Sequence, residues 1–280
     1  MLRPARPHDP AGPRGGPRPE GPPLQALRAL YEQAVRRQPF VSPAHRVVRV
    51  PPVVRLVGPG PHALDNGVTW ARLDETDADE VIAREVAWFA REGRDLQWDV
   101  YDTDGPHDLV ARLERAGFEP GAMERLMGAH AADVAALAPP THVRLVRVED
   151  AEALDRHLAV GTAVGGPDLE DVLRTAFRRE LDGDGATTLF TALVEGEAVG
   201  AAHVVVPPGS RLGHLFGANV LTTHRRHGVY RALLAARGAR ALAQGATVLV
   251  TDANGHSGPI LERLGFRPFG TRQEMVRRRR

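Results

Sequence analysis

The sequence contains no cysteine and no lysine. The first absence excludes disulfides, thiolate metal sites and cysteine nucleophiles, and it agrees with a cytoplasmic location. The second means that arginine carries every basic role, so an arginine cluster is weaker evidence of an anionic partner than in a chain that also uses lysine. Net charge is lacking too, with 36 basic side chains against 35 acidic ones. The balance points to neither nucleic acid nor a membrane surface, although Arg3, Arg6, Arg14, Arg18 and Arg277–Arg280 gather at the two ends. No apolar run approaches the ~20 residues of a membrane helix. The first residues have no apolar segment of the kind a secretory signal needs. No spacing of ligands suggests a metal.

What is present suits two medium domains or one large one: 280 residues with an ordinary apolar fraction of 42%. Residues 1–23 are Pro, Gly and Arg with almost no large apolar side chain, and are expected to be a disordered tail. Helical spacing follows over Leu24–Arg37, then short strands at Arg46–Val50, Val53–Val57 and Gly67–Leu73. Thr76–Arg91 reads as a helix with Thr76 as its cap. Gln97–Tyr101 is a strand, Pro106–Ala116 a helix ended by Gly117, and Glu124–Gly128 a last strand. The double proline Pro139-Pro140 marks a linker over 135–141, separating a domain at 24–134 from one at 142–280.

The second domain reads as strand Val143–Val148, helix Asp150–Val160, a flexible loop Gly161–Gly166 and helix Pro167–Leu181. A hairpin Thr188–Val194/Ala198–Val206 follows, then strand Arg211–Leu221, helix Val229–Ala243, strand Thr247–Thr251, helix Gly258–Leu264 and a final strand near Arg272–Val276. Hairpins leading into a β-α-β unit imply an α/β (α+β) class with a mixed, largely antiparallel sheet flanked by helices.

Chemistry concentrates in Val220-Leu221-Thr222-Thr223-His224-Arg225-Arg226-His227-Gly228-Val229-Tyr230-Arg231, between a strand and a helix. The first N–H groups of a helix lack partners within it and sit at the positive end of its dipole. Glycine lets the backbone approach a ligand, and Arg225, Arg226 and Arg231 add charged donors. A pyrophosphate is the natural guest.

The stretch resembles the GNAT acetyltransferase signature, Arg/Gln-x-x-Gly-x-Gly/Ala, departing from it at Tyr230. A second match follows. Asn254, Ser257, Ile260, Gly265 and Phe266 fall at the offsets of the family pattern Asn-x-x-Ala-x-x-Leu-Tyr-x-x-x-Gly-Phe. The resemblance implies a GNAT sheet that binds acetyl-CoA through Val220–Thr222, Arg225–Arg231, Asn254 and Ser257. It further implies direct acetyl transfer to the primary amine of a small molecule or peptide, without a metal. Asn254 is implied to bond the pantetheine or to hold its own loop. A backbone N–H near Asn219–Leu221 is implied to polarise the thioester carbonyl.

Leu261 stands where many family members place a tyrosine that protonates the leaving thiolate. Three outcomes remain open: water does that work, Tyr230, Ser257 or His256 substitutes, or the domain binds acyl-CoA without turnover. The base is assigned to His214, six residues before Val220, against the alternative of a buried imidazole with a structural role. Without a bulge, positions 214, 216, 218 and 220 would share one face.

The first half echoes the second: Leu113–Phe118 and Leu261–Phe266 both read Leu-Glu-Arg-x-Gly-Phe. Its loop Asp74–Glu80 is acidic and lacks glycine and arginine, so it would repel a pyrophosphate. The reading is a pair of GNAT-like domains in tandem, the first degenerate and structural, or a chance echo. The acceptor, the acyl length and the oligomeric state are left open by the sequence.

Overall fold

The computed structural model describes residues 23–41, 44–166, 170–181 and 185–279. The expected tail therefore lies outside the described residues except for Pro23, which precedes the first helix, as does the expected start of a helix at Pro167. In the N-terminal half, α1 (Leu24–Tyr31) continues into a π-helical turn, Glu32–Arg37. The strands are β1 (Arg46–Val50), β2 (Val53–Val57), β3 (Asn66–Ala71), β4 (Leu96–Tyr101) and β5 (Glu119–His130), and the helices α2 (Ala78–Arg91), α3 (Leu109–Arg115) and α4 (Ala131–Ala135). The C-terminal half runs β6 (Arg144–Arg147), α5 (Ala151–Gly165), α6 (Glu170–Leu181), β7 (Thr187–Val194), β8 (Glu197–Val205), β9 (Leu212–Val220), α7 (Val229–Ala243), β10 (Val248–Ala253), α8 (Ser257–Arg263) and β11 (Arg267–Arg277).

All these strands form one 11-stranded sheet in the order β1-β2-β3-β4-β11-β5-β10-β9-β8-β7-β6. Each half ends in a strand that the other half uses. β5 lies between β11 and β10, and β11 lies between β4 and β5. The exchange has local two-fold symmetry. Superposing the Leu-Glu-Arg-x-Gly-Phe repeats converts the pair Met123↔Gln273 into Arg125↔Thr271, and Gly128↔Arg267 into Glu119↔Val276. Glu124↔Arg272 maps onto itself. The same operation relates Asp99, opposite Glu274, to Asp252, opposite Leu126. The sequence echo is thus the trace of a symmetry axis through the middle of the sheet.

Alternation sorts the two faces. Leu249 and Ala253 of β10 join the α7 core with Leu215 and Leu233, and Trp98 and Val100 of β4 join that of α2 and α3. On the opposite face, Val248, Val250 and Tyr101 pack under Leu27 and Tyr31 of α1, while Leu189 packs under α5 and α6. Among the described residues no helix is long and apolar enough to cross a membrane.

Three local expectations are corrected. The segment Gly161–Gly166 is not a loop. α5 runs through Gly165 and stops at Gly166, whose φ of 91° leaves the helical region; helical packing absorbs the interspersed glycines. Thr76 does not cap α2, which starts at Ala78 after Asp77. Finally, the β8–β9 register slips between Ala201↔Asn219 and His203↔Phe216, with Gly217 at φ 57°. This bulge puts Asn219, not Ala218 or Val220, on the face of His214 and Phe216.

Candidate active site

β9 and β10 run parallel but pair only from Leu212↔Val248 to His214↔Val250. Beyond His214, β9 stays with β8 as far as Val220 and β10 stays with β5 as far as Ala253. A wedge opens between them, tied near its apex by the Thr251 hydroxyl donating to the Leu215 carbonyl at 3.0 Å. Backbone groups of β9 facing the wedge lack a neighbouring strand there, which is how an extended amide-bearing chain can be received.

The mouth of the wedge is Leu221 to Arg231. A short 3₁₀ turn, Thr222–His224, leads into Arg226 at φ 69° and Gly228 at φ 79°, and α7 begins at Val229 with no side chain capping its first turn. The N–H groups of Val229, Tyr230 and Arg231 therefore face outward without helical partners. Arg225, Arg226, His227, Thr222 and Arg231 are exposed around them, and Arg225 Nε donates to the Val220 carbonyl at 3.3 Å. A Cβ on residue 228 would lie 2.7 Å from Pro140, so glycine is required by space as well as by φ. Four of the predicted contact residues have side chains that pack in or against the core, which leaves their backbone for a ligand. The Val229 side chain is buried in the α7 core, and Val220, Leu221 and Tyr230 pack against that core rather than reaching into the mouth.

Asn254 Oδ1 accepts from the N–H groups of His256 at 2.9 Å and Ser257 at 3.0 Å. Its carbonyl side holds the start of α8, and Ser257 Oγ lies 3.3 Å from the same oxygen. Leu261 is 1% exposed, in the core beside Phe266.

His214 faces the opposite side of the sheet from α7, where a cavity of about 340 Å³ lies between the sheet and α1. Tyr31, Asp99, Tyr101, Phe216, Asp252 and Arg272 share its lining. Burial, reinforced by Arg272, pushes the His214 imidazole down to about 3. Its Nε2 and Asp252 Oδ1 stand 4.0 Å apart, both buried and neither hydrogen-bonded. Arg272 sits on the symmetry axis, 3.3 Å from Asp99, 3.3 Å from Asp252 and 2.6 Å from Glu124. Burial raises the Asp252 and Asp99 carboxyls, with Arg272 pulling both back.

Sequence reasoning missed Asp99, Asp252, Arg272, Tyr31 and Arg237. No sequence motif marked them; Asp99 and Asp252 stand at different distances from the two repeats. Arg237, 1% exposed on α7, donates to the carbonyls of His203 at 3.4 Å and Phe216 at 3.3 Å. It holds the strands at the bulge from beneath.

The N-terminal half has a matching wedge, since β3 and β4 pair only at Gly67↔Gln97 and Val68↔Trp98. Its anion position is filled by the chain itself. Asp74 Oδ1 accepts from the N–H groups of Thr76 at 2.8 Å and Asp77 at 3.2 Å, ahead of α2. Buried Arg36, beside this wedge, is taken by Glu32 at 2.7 Å and Asp104 at 2.7 Å.

The family model of the acetyltransferase (GNAT) domain matches residues 163–277. This region is a GNAT domain. The whole chain has the fold of tandem GNAT proteins. It is similar to a tandem GNAT protein from the clavulanic acid biosynthesis pathway, with a TM-score of 0.59 and 15% identity, covering 95% of this chain and 90% of that one. A GCN5-related N-acetyltransferase from Kribbella flavida gives 0.65 and 19%, covering 90% and 95%. A conserved protein of unknown function from Staphylococcus epidermidis gives 0.68 and 14%, covering 84% and 95%. At such identities the likeness is one of fold. No curated protein matches the sequence. The GNAT assignment agrees with the order of elements from β6 to β11, except that the strand between β10 and β11 is supplied by the N-terminal half.

Proposed function

We propose that the protein is a cytoplasmic N-acetyltransferase that moves the acetyl group of acetyl-CoA to a primary amine in a ternary complex. The observation that carries this reading is the wedge between β9 and β10 with an uncapped helix N-terminus at its mouth. The Val229–Arg231 N–H groups, Arg225 and Arg226 would take the pyrophosphate, and the free edge of β9 from Asn219 to Leu221 the pantetheine. Asn254 would keep the α8 loop in place. Acetyl-CoA supplies the activated acetyl thioester. The amine nitrogen forms the new bond to the acetyl carbon, CoA departs, and the nitrogen's proton passes to His214 Nε2. Burial holds that imidazole neutral and makes it a weak base in the free protein, and Asp252, 4.0 Å from Nε2, would offset the charge it takes on. The N-terminal half, with Asp74 occupying its own anion position, supports the sheet and binds no cofactor.

The core position of Leu261 favours a second reading, binding of acyl-CoA without turnover. Against it, a thiol of pKa about 8.5 departs as thiolate without an acid from the protein. Calorimetric titration with acetyl-CoA tests both, comparing wild type with Gly228→Glu and following thiol release over a panel of amines. Binding that the variant abolishes, with thiol release in wild type, is expected. Binding without release from any amine would leave the second reading, and no binding by folded wild type would sink both.

A further inference from the structure

The cavity under α1 bears on which amines are acceptors, an inference that rests on the transferase reading. Its lining includes Asp252 Oδ1 and His214 Nε2, buried, unpartnered and 4.0 Å apart. Such a gap is too long for a hydrogen bond between them. It is short enough for one nitrogen carrying several N–H groups to donate to both. Leaving two buried polar atoms unpaired is costly, and with His214 as its Nδ1–H tautomer both are acceptors matched to a donor that arrives with the ligand. The pair also sits where β9 and β10 begin to part, after His214↔Val250.

Charge around it favours a cation. Asp99, Asp252 and Glu124 surround the single guanidinium of Arg272, and Glu274 adds a partly buried carboxyl facing the same group. The terminal nitrogens of Arg272 are thereby taken by carboxylates while its buried Nε stays unbonded, and His45 is held by Asp65 at 3.2 Å. Three carboxylates around one guanidinium leave the surroundings of the cavity with an excess of acidic groups. The remaining walls are largely apolar: Val35, Phe40, Leu56, Val205 and Leu212. Phe216, 37% exposed, lies 3.9 Å ring to ring from His214 and offers a flat apolar surface beside the nitrogen position.

The geometry points to an acceptor subsite built by both halves, in which Asp252 and His214 grip the nitrogen of an alkyl or arylalkyl primary amine that carries no acidic group. Asp252, placed by Arg272 and flanked by Tyr31 of α1, binds the ammonium and offsets the charge as its proton moves to His214. Asp99, from the N-terminal half, balances Arg272 from the symmetry-related position. Amino acids are rejected, because their α-carboxylate would enter a negatively charged, apolar-walled cavity.

Phenethylamine and phenylalanine, which differ by one carboxylate, form the matched test pair. Their binding to the full-length protein is measured by calorimetry without acetyl-CoA, in wild type and in Asp252→Asn, with a thermal melt to verify folding. Wild type is expected to bind phenethylamine at least ~30-fold more tightly than phenylalanine, and Asp252→Asn to lose about 30-fold in phenethylamine affinity while keeping its affinity for acetyl-CoA. Equal binding of the two ligands by wild type overturns the proposal without use of any variant, as does an unchanged affinity in folded Asp252→Asn. Acetyl-CoA binding with no amine binding would remove this subsite and leave the transferase reading intact. Amine binding with no acetyl-CoA binding would do the reverse.

Discussion

His157, His203 and His214 lie on one face of the sheet, linked through Phe177 and Phe216 by ring contacts of 3.9 to 5.7 Å. Burial pushes His157 down to about 4, and His203 and His214 to about 3. Unfolded, each would take a proton near pH 6.5; folded, each refuses it. The unfolded state then binds more protons, so the stability these groups contribute is full above that pH and lost as pH falls toward 4. Each costs at most about 1.4 kcal/mol per pH unit. Asp99 and Asp252, raised by burial, act with the opposite sign. Urea unfolding at pH 7.5 and 5.5 should show wild type weakening with acid and His203→Gln weakening less; equal losses would refute the assignment. At Gly228 a second effect is expected. The left-handed φ and the nearby Pro140 ring should make Gly228→Ala less stable by about 1–2 kcal/mol, seen as a lower denaturant midpoint. Calorimetry on Gly228→Glu must therefore use protein shown to be folded.

At the scale of elements, the β9 bulge turns a strand into a site. It ends the alternation at Gly217, brings Asn219 to the face of His214, and turns the backbone of 217–220 toward the wedge. Arg237 fastens this region by holding the Phe216 and His203 carbonyls, without a carboxylate partner of its own. Burial lowers its guanidinium to about 10, a cost accepted where the bulge must be rigid. Arg237→Met is expected to slow acetyl transfer at least ~10-fold, as loosening an oriented backbone donor does, with acetyl-CoA affinity unchanged by calorimetry. If kcat survives, the bulge is rigid without it.

At the scale of the molecule, the exchanged strands β5 and β11 make the halves interdependent. A fragment of residues 142–280 would lack β5 and expose the facing edges of β10 and β11, which invite pairing with other chains. It should aggregate or dimerise in size-exclusion chromatography, and mixing with residues 24–141 should restore a monodisperse complex. Tryptophans 70, 88 and 98 all lie in the N-terminal half. Their fluorescence transition in urea should coincide with the loss of helical circular dichroism, to which both halves contribute. Two separated transitions would mean that the halves fold independently across a shared sheet.

The element order of the GNAT half, the glycine at its phosphate-binding turn, the tandem echo and the acidic loop of the first half were legible in the sequence, because each depends on neighbouring residues. Local periodicity encodes a helix, a φ near 79° calls for glycine, and the five acidic residues of Asp74–Glu80 repel a phosphate wherever that segment lies. The partner of each terminal strand was not legible, since β5 and β11 have the same local pattern whether they return to their own half or cross. Nor were the bulge, which depends on register between β8 and β9, or the meeting of Asp99, Asp252, Arg272 and His214. Those residues are far apart in the chain, and only the exchange of strands about a common axis brings their charges together under α1.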